Sequence, residues 1–142
     1  ACSGKSEKIL FHDGVRPFVS DRIITECIEK LNLYNAVNTA VPSTDTLIEI
    51  NDKMIVTDIP DRNKIYRVQT PQGFKYNVIL QAHERAKNDN SINFTDDCGL
   101  IFSYKLGEIF VVQGEQNNIK ITYKQDLKIA EKILNYKNSH GV

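Results

Sequence analysis

The sequence has no tryptophan, one methionine, four prolines and seven glycines in 142 residues, and its 18 basic side chains are matched by 18 acidic ones. Each scarcity excludes something. With 41% apolar residues and so little glycine and proline, the chain is neither disordered nor collagen-like. Zero formal charge excludes a general nucleic-acid or anionic-membrane binder, because such proteins draw affinity from excess cations. Any anion handled here must be met by a few focused cations. Wholly apolar runs such as Ile109-Phe110-Val111-Val112 fall far short of the ~20 residues a bilayer requires. Neither a membrane nor a nucleic acid is therefore an expected partner. No charged-then-apolar-then-small secretion pattern opens the chain. The odd cysteine set, Cys2, Cys27 and Cys98, fits no metal knuckle; it suits buried apolar side chains in a reducing cytoplasm.

What is present alternates strands with helices. Lys8 to Phe11 predicts a short buried strand, and Ser20 a cap for a helix that carries Ile23, Ile24, Cys27, Ile28 and Leu31 on one face to about Leu33. Ala36 to Val41 predicts a second strand. Thr46 to Thr57 predicts a hairpin around Asn51 and Asp52, set at an edge or projecting as an arm. After a break at Pro71-Gln72-Gly73, the spacing of Phe74, Val78, Ile79, Ala82 and Ala86 predicts a helix. Thr95 is an expected cap for another helix, running to about Tyr104. Ile109 to Val112 and Ile119 to Thr122 read as strands. Thr122 with Gln125 fits a capping box for a last helix ending near Tyr136, with Leu127, Ala130, Ile133 and Leu134 inside. One α/β domain with a largely parallel sheet is expected.

Ligands of open α/β sheets gather beyond the carboxyl ends of strands, and three clusters fall there. In His12-Asp13-Gly14-Val15-Arg16-Pro17, Asp13 can hold magnesium or a substrate hydroxyl and Gly14 permits close approach. Equally, Asp13 can accept backbone hydrogen bonds in a turn, with Arg16 paired to an acid. Arg62 offers a donor fork suited to phosphate, and Thr70 a hydroxyl before a proline; alternatively they are a solvated charge and a turn. Lys120 alternates with Ile119 and Ile121, so it faces either a cleft, as a charge for phosphate, or water.

Taken in order, Leu10 through Phe18, Asp45-Thr46, Ile59 through Arg62, Gln69 through Phe74, Thr95 through Asp97, and Gly114 through Thr122 with Asp126-Leu127 and Ala130-Glu131 resemble the C-terminal part of the polyol-phosphate cytidylyltransferases. The resemblance covers nearly the whole chain. It implies a Rossmann-like nucleotidyltransferase sheet with helices on both faces and a projecting β-hairpin arm at about 46–66. It implies CTP as co-substrate, a divalent cation such as Mg2+, and formation of a CDP-polyol with release of pyrophosphate. Asp13 matches the metal and substrate-hydroxyl position, with Gly14 beside it on the nucleotide side. Lys120 matches a catalytic charge on phosphate, Arg62, Thr70 and Thr95 substrate-phosphate positions, and Thr46 and Arg16 positions near the substrate hydroxyls. The family's arm reaches into a second subunit, which implies a homodimer.

The run Ile23 through Ile28, Tyr34 through Val37, and Tyr66 after the arginine resemble the branch acting on ribitol 5-phosphate, a teichoic acid or capsule precursor. The alternative substrate is 2-C-methyl-D-erythritol 4-phosphate of isoprenoid synthesis. The family's opening strand and Gly-rich loop have no counterpart before Lys8. The expectation is therefore a C-terminal part, residues 1–142, of one nucleotidyltransferase domain, inactive on its own. A non-catalytic dimerisation or binding module is the competing class.

Overall fold

The structure, a computed structural model, describes residues 6–87, 89 and 95–140. In chain order the elements are β1 (Lys8–Phe11), α1 (Asp21–Lys30), β2 (Ala36–Pro42), β3 (Glu49–Ile50), β4 (Val56–Asp58), a 3-10 turn (Arg62–Lys64), β5 (Tyr66–Lys75), α2 (Tyr76–Ala86), α3 (Asp97–Ser103), β6 (Ile109–Gln113) and α4 (Lys124–His140). The main sheet has the order β1-β5-β2-β6, while β3 and β4 form a separate two-stranded ribbon, the expected arm. In that ribbon Leu47, Ile48 and Met54 lie outside the short strands.

Period-two alternation puts helices on both faces. Ala36 and Phe74 meet Ile79 and Ala82 of α2 and Cys98, Leu100 and Ile101 of α3 on one face. Val37 and Val112 meet Ile23 and Cys27 of α1 and Leu31 at its C-cap on the other. The Ser20 hydroxyl caps α1 by accepting the Ile23 N–H, as its sequence suggests. Cys27 and Cys98 are buried free thiols, and burial pushes the pKa of both up, so they behave as small core residues. Cys2 lies outside the described residues.

Several sequence expectations are corrected. The sheet is mixed, not largely parallel: β2 runs parallel to β6, but β5 is antiparallel to both β1 and β2. The ten-residue β5 was hidden because Gln69, Thr70, Pro71 and Gln72 look like a break, yet Gln69, Pro71 and Gln72 are buried. Asn38 opposes Gln72 and Ala40 opposes Val68, so three residues of β5 bulge against Thr39 alone. Pro71 has no N–H to give the ladder, and a bulge is where a strand accommodates that. Phe74 belongs to β5, and α2 begins at Tyr76. Asp96, not Thr95, caps α3 by accepting the Gly99 N–H.

Ile119 to Thr122 forms no strand; it is a loop tied to the β1–α1 connection by the Ile121 N–H donating to the Val15 carbonyl. At the start of α4, Asp126 rather than Gln125 reaches back, accepting the Thr122 and Tyr123 N–H groups, which hold its carboxyl below the ordinary range. This helix runs to His140, beyond Tyr136. Of its expected inner residues only Ala130 is buried, while Leu127 and Leu134 are about half exposed.

Gly73 lies where side chains of β1, β2 and the end of α1 crowd the backbone of β5. A Cβ there would stand 2.7 Å from Leu10 Cδ2 and Val37 Cγ2 and 3.0 Å from Leu31 Cδ1. Gly14, in contrast, has nothing within 4 Å of a built Cβ, so the fold itself does not require glycine there. Gly73→Ala is expected to cost about 1–3 kcal/mol by overpacking, and Gly14→Ala less than about 0.5, read as urea midpoints of the purified chain. Equal midpoints for the two variants would contradict the packing described.

Candidate functional site

β1 ends at Phe11 opposite Gln72, which delivers His12 and Asp13 directly beside the β5 bulge. The Asp13 N–H donates to Thr70 Oγ1 at 3.0 Å. The Arg16 N–H closes a turn on the Asp13 carbonyl, and the Arg16 side chain, 11% exposed, donates from Nε to Asp13 Oδ2 at 3.2 Å and from Nη1 to the Asn118 carbonyl at 2.8 Å. Lys120 Nζ lies 3.3 Å from the same Asp13 oxygen, on a side chain 51% exposed. Partial burial pushes the Asp13 pKa up, but hydrogen bonds from Lys120 and Arg16 and their charges outweigh it, and the carboxyl titrates below its ordinary range.

The bulge that positions Thr70 is braced from three sides. Thr39, fully buried, donates its hydroxyl to the Pro71 carbonyl at 2.7 Å. Asn118, also fully buried, donates Nδ2 to the Thr70 carbonyl at 2.8 Å and to Gln69 Oε1 at 3.4 Å. Gln69 in turn donates to the Glu115 carbonyl and accepts the Glu115 N–H. Because the Glu115 backbone fixes which end of Gln69 accepts, Asn118 must present its nitrogen, which leaves Asn118 Oδ1 buried with no hydrogen-bond partner.

A cavity of about 530 Å³ opens over this floor, lined by Asp13, Arg16, Thr70, Thr95, Asp96 and Lys120 among others. Five of the expected site residues therefore converge. Gln72 tightens the far wall by donating to Asp96 Oδ2 at 2.7 Å. Asp97 faces the cavity and is paired with His83 at 2.9 Å. An adjoining cavity of about 450 Å³ shares Arg16 and Lys120 and adds Arg67, whose Nη2 donates to Gln116.

Thr46 and Arg62 are not brought here. Thr46 is exposed before β3, and Arg62 lines a separate cavity of about 460 Å³ with Ser43, Thr44 and Tyr66. Lys120 is on a loop, not a strand, so it reaches Asp13 through the Asn118 anchor rather than through strand alternation. Sequence reasoning missed Gln69, Gln72, Asn118 and Arg67. The readable signal was polar Gln69 and Gln72 between Val68 and Phe74, which marks either a loop or a strand with buried polar work to do. Among the described residues no three potential metal ligands come together. Three carboxylates, Asp13, Asp96 and Asp97, line the cavity, and a magnesium ion that keeps water and phosphate oxygens would need only one of them, such as Asp13. No helix among the described residues is long and apolar enough to cross a membrane.

A mixed sheet with helices on both faces and a two-stranded arm defines an α/β, Rossmann-like architecture, and solved structures share it. The crystal structure of 4-diphosphocytidyl-2C-methyl-D-erythritol synthase from Anaerococcus prevotii matches with a TM-score of 0.90 and 38% identity over 95% of this chain and 62% of that one. That of 2-C-methyl-D-erythritol 4-phosphate cytidylyltransferase from Thermus thermophilus matches at 0.77 and 30% identity, covering 90% of this chain and 62% of that one. A family model for 2-C-methyl-D-erythritol 4-phosphate cytidylyltransferase, IspD, matches residues 1–136, and the chain belongs to that family. The curated relative named 2-C-methyl-D-erythritol 4-phosphate cytidylyltransferase in Thermobifida fusca is 40% identical over 91% of this chain and 54% of its own length. The Haemophilus influenzae protein named bifunctional ribulose 5-phosphate reductase/CDP-ribitol pyrophosphorylase Bcs1 is 38% identical over 91% of this chain and 27% of its own length. The chain thus spans about half the length of most of these curated relatives.

The charge arrangement makes a direct prediction. Asp13, with its pKa lowered by folding, contributes stability that is full above the unfolded aspartate value of ~3.9 and is lost as pH falls through the lower folded value. Carboxyl NMR titration of the chain should place Asp13 below an exposed aspartate, and Lys120→Met should move it upward; an unmoved midpoint would break the assigned contact. Asn118→Ala should cost about 1–3 kcal/mol in a denaturant titration, since the Thr70 carbonyl is left without its donor.

Proposed function

We propose that the protein carrying this chain is a CTP-dependent cytidylyltransferase that converts a polyol phosphate into a CDP-polyol, with 2-C-methyl-D-erythritol 4-phosphate as its substrate. The observation that carries the reading is Asp13 held between Arg16 and Lys120 on the floor of the 530 Å³ cavity, in a chain of this family. The sequence pattern alone leaned toward ribitol 5-phosphate. The names of the relatives shift the preference, because matched proteins named for methylerythritol phosphate reach 44% identity, while the ribitol reading is favoured by the 38% identical Bcs1 protein.

In this reading a phosphate oxygen of the substrate attacks the α-phosphorus of CTP. A new P–O bond forms as the α–β phosphoanhydride bond breaks, and the electron pair leaves with pyrophosphate. Two polyanions must be brought together, so positioning and charge neutralisation supply most of the rate. Lys120 can leave Asp13 to meet phosphate, since its side chain is half exposed, whereas the buried Arg16 stays to hold the carboxylate oriented toward a substrate hydroxyl. When bound, a magnesium ion held by Asp13 and phosphate oxygens would neutralise developing charge. Gly14 leaves open space where the nucleotide side approaches. Thr95, which lines the cavity, would hold substrate phosphate, and Thr70 lines the same cavity from β5.

Thr46 and Arg62 belong to the site only if they come from a second copy, and a homodimer joined through the arm is part of the proposal. The CTP triphosphate would be held by chain outside these 142 residues, and a cytoplasmic setting is part of the proposal, supported by the free thiols of Cys27 and Cys98. The reading is tested by pyrophosphate release from CTP by the intact protein with magnesium and methylerythritol 4-phosphate. Faster release with ribitol 5-phosphate would reassign the substrate, and release with neither would favour a binding module. Lys120→Ala is expected to lose at least tenfold in kcat with an unchanged circular dichroism spectrum; full activity would remove Lys120 from the mechanism.

A further inference from the structure

His12 has no part in the chemistry above, yet both of its ring nitrogens are engaged. Nε2 lies 2.9 Å from the Arg16 carbonyl oxygen, and Nδ1 lies 2.9 Å from Thr70 Oγ1. A carbonyl oxygen only accepts, so Nε2 carries the hydrogen. In the neutral imidazole Nδ1 is then a bare lone pair, and the Thr70 hydroxyl must donate to it. The same hydroxyl oxygen accepts the Asp13 N–H at 3.0 Å. A hydroxyl has one hydrogen and two lone pairs, so the hydrogen and one lone pair of Thr70 are used inside the chain.

What remains for the cavity is a single lone pair. A phosphate oxygen, itself an acceptor, finds no hydrogen there; a hydroxyl group does find an acceptor. His12 is exposed, yet both ends of this relay are tied by hydrogen bonds. Thr70 sits on the braced bulge of β5, and His12 is gripped at the opposite nitrogen by a turn that the Arg16 N–H closes on Asp13.

We propose that His12 is a positioning residue that locks the Thr70 hydroxyl as an acceptor toward the cavity, so that Thr70 reads a hydroxyl of the polyol rather than its phosphate. This differs from the phosphate role that the family resemblance implies for Thr70. Phosphate is left to the cations of the site, Lys120 above all. The identity of the donor rests on the polyol-phosphate reading of the site, whereas the lock is a property of the chain alone.

The two parts are tested separately. Long-range proton–nitrogen correlation spectra of the chain at pH 8.5, about two units above an ordinary imidazole, should give His12 the Nε2–H tautomer pattern. A Nδ1–H pattern in the unmodified chain overturns the lock, whatever the enzyme does. In the intact protein, Thr70→Val should raise KM for methylerythritol 4-phosphate at least tenfold, while inhibition by inorganic phosphate changes less than twofold and Thr70→Ser restores KM. His12→Phe should raise KM in the same way with kcat within threefold, and His12→Asn, which keeps an acceptor near the Nδ1 position, should recover at least half of the loss. If Thr70→Val weakens inorganic phosphate as much as the polyol phosphate, Thr70 reads phosphate and the proposal fails. If the intact protein turns over no polyol phosphate, the functional reading fails instead, and the tautomer spectra still decide the lock.

Discussion

The site depends on how a bulge in a central strand is satisfied. Gln69, Thr70 and Pro71 oppose one residue of β2, which takes their backbone out of the regular ladder. Carbonyl groups left inside a protein without donors cost free energy comparable to a lost hydrogen bond. Here Thr39 and Asn118, both fully buried, supply the donors to Pro71 and Thr70. Asn118 also belongs to the loop that carries Lys120, and its own carbonyl accepts from Arg16. One buried amide therefore couples the strand, the loop and the turn around Asp13. Removing it would disturb the relative placement of Thr70, Lys120 and Arg16 at once.

Opposite charges are closely balanced in the cavity. Arg16 and Lys120 both spend charge on Asp13, and Asp96 and Asp97 line the same space. A surface of this balance does not concentrate polyanions strongly by itself. Unequal exposure of the two cations resolves the difficulty: the guanidinium is pinned by two partners, and the ammonium is half in water on a flexible stem. In the proposed function, exchange of Lys120 from carboxylate to phosphate would require only a side-chain movement.

The exposed apolar surface is unevenly distributed. Leu47, Ile48, Ile50, Met54, Ile55, Val56 and Ile59 crowd the arm and its approaches, and Leu127, Ile129 and Leu134 line α4. An isolated two-stranded ribbon is marginal in water, and these side chains gain little from the body of this chain. The same arm carries Thr46 and leads to Arg62, so covering it with a second copy would serve stability and chemistry together.

Much of the fold was legible because its determinants are local. Ser20 capping α1, the apolar spacing of Ile23, Cys27 and Leu31, and the alternation in Ala36 to Val41 need only neighbouring residues to be read. Asp13, Arg16, Thr70 and Lys120 were likewise visible as residue types placed near expected strand ends, Thr95 was pointed to by the family resemblance alone, and all five line one cavity. The central strand β5 was not legible, because its polar and proline residues are stable in the core only with donors from Thr39 and Asn118, 32 and 48 residues from Pro71 and Thr70 along the chain. Nor could alternation place Lys120, which is held by a loop anchor rather than by a pleat. The sequence by itself determined which residues can form helices and strands and which can carry charge; tertiary structure alone decided that the sheet is mixed, that a bulge is satisfied by distant side chains, and that Thr46 and Arg62 stand away from Asp13. Hydrogen-bond partners across long separations exist only once the chain has closed on itself, and the site is made of them.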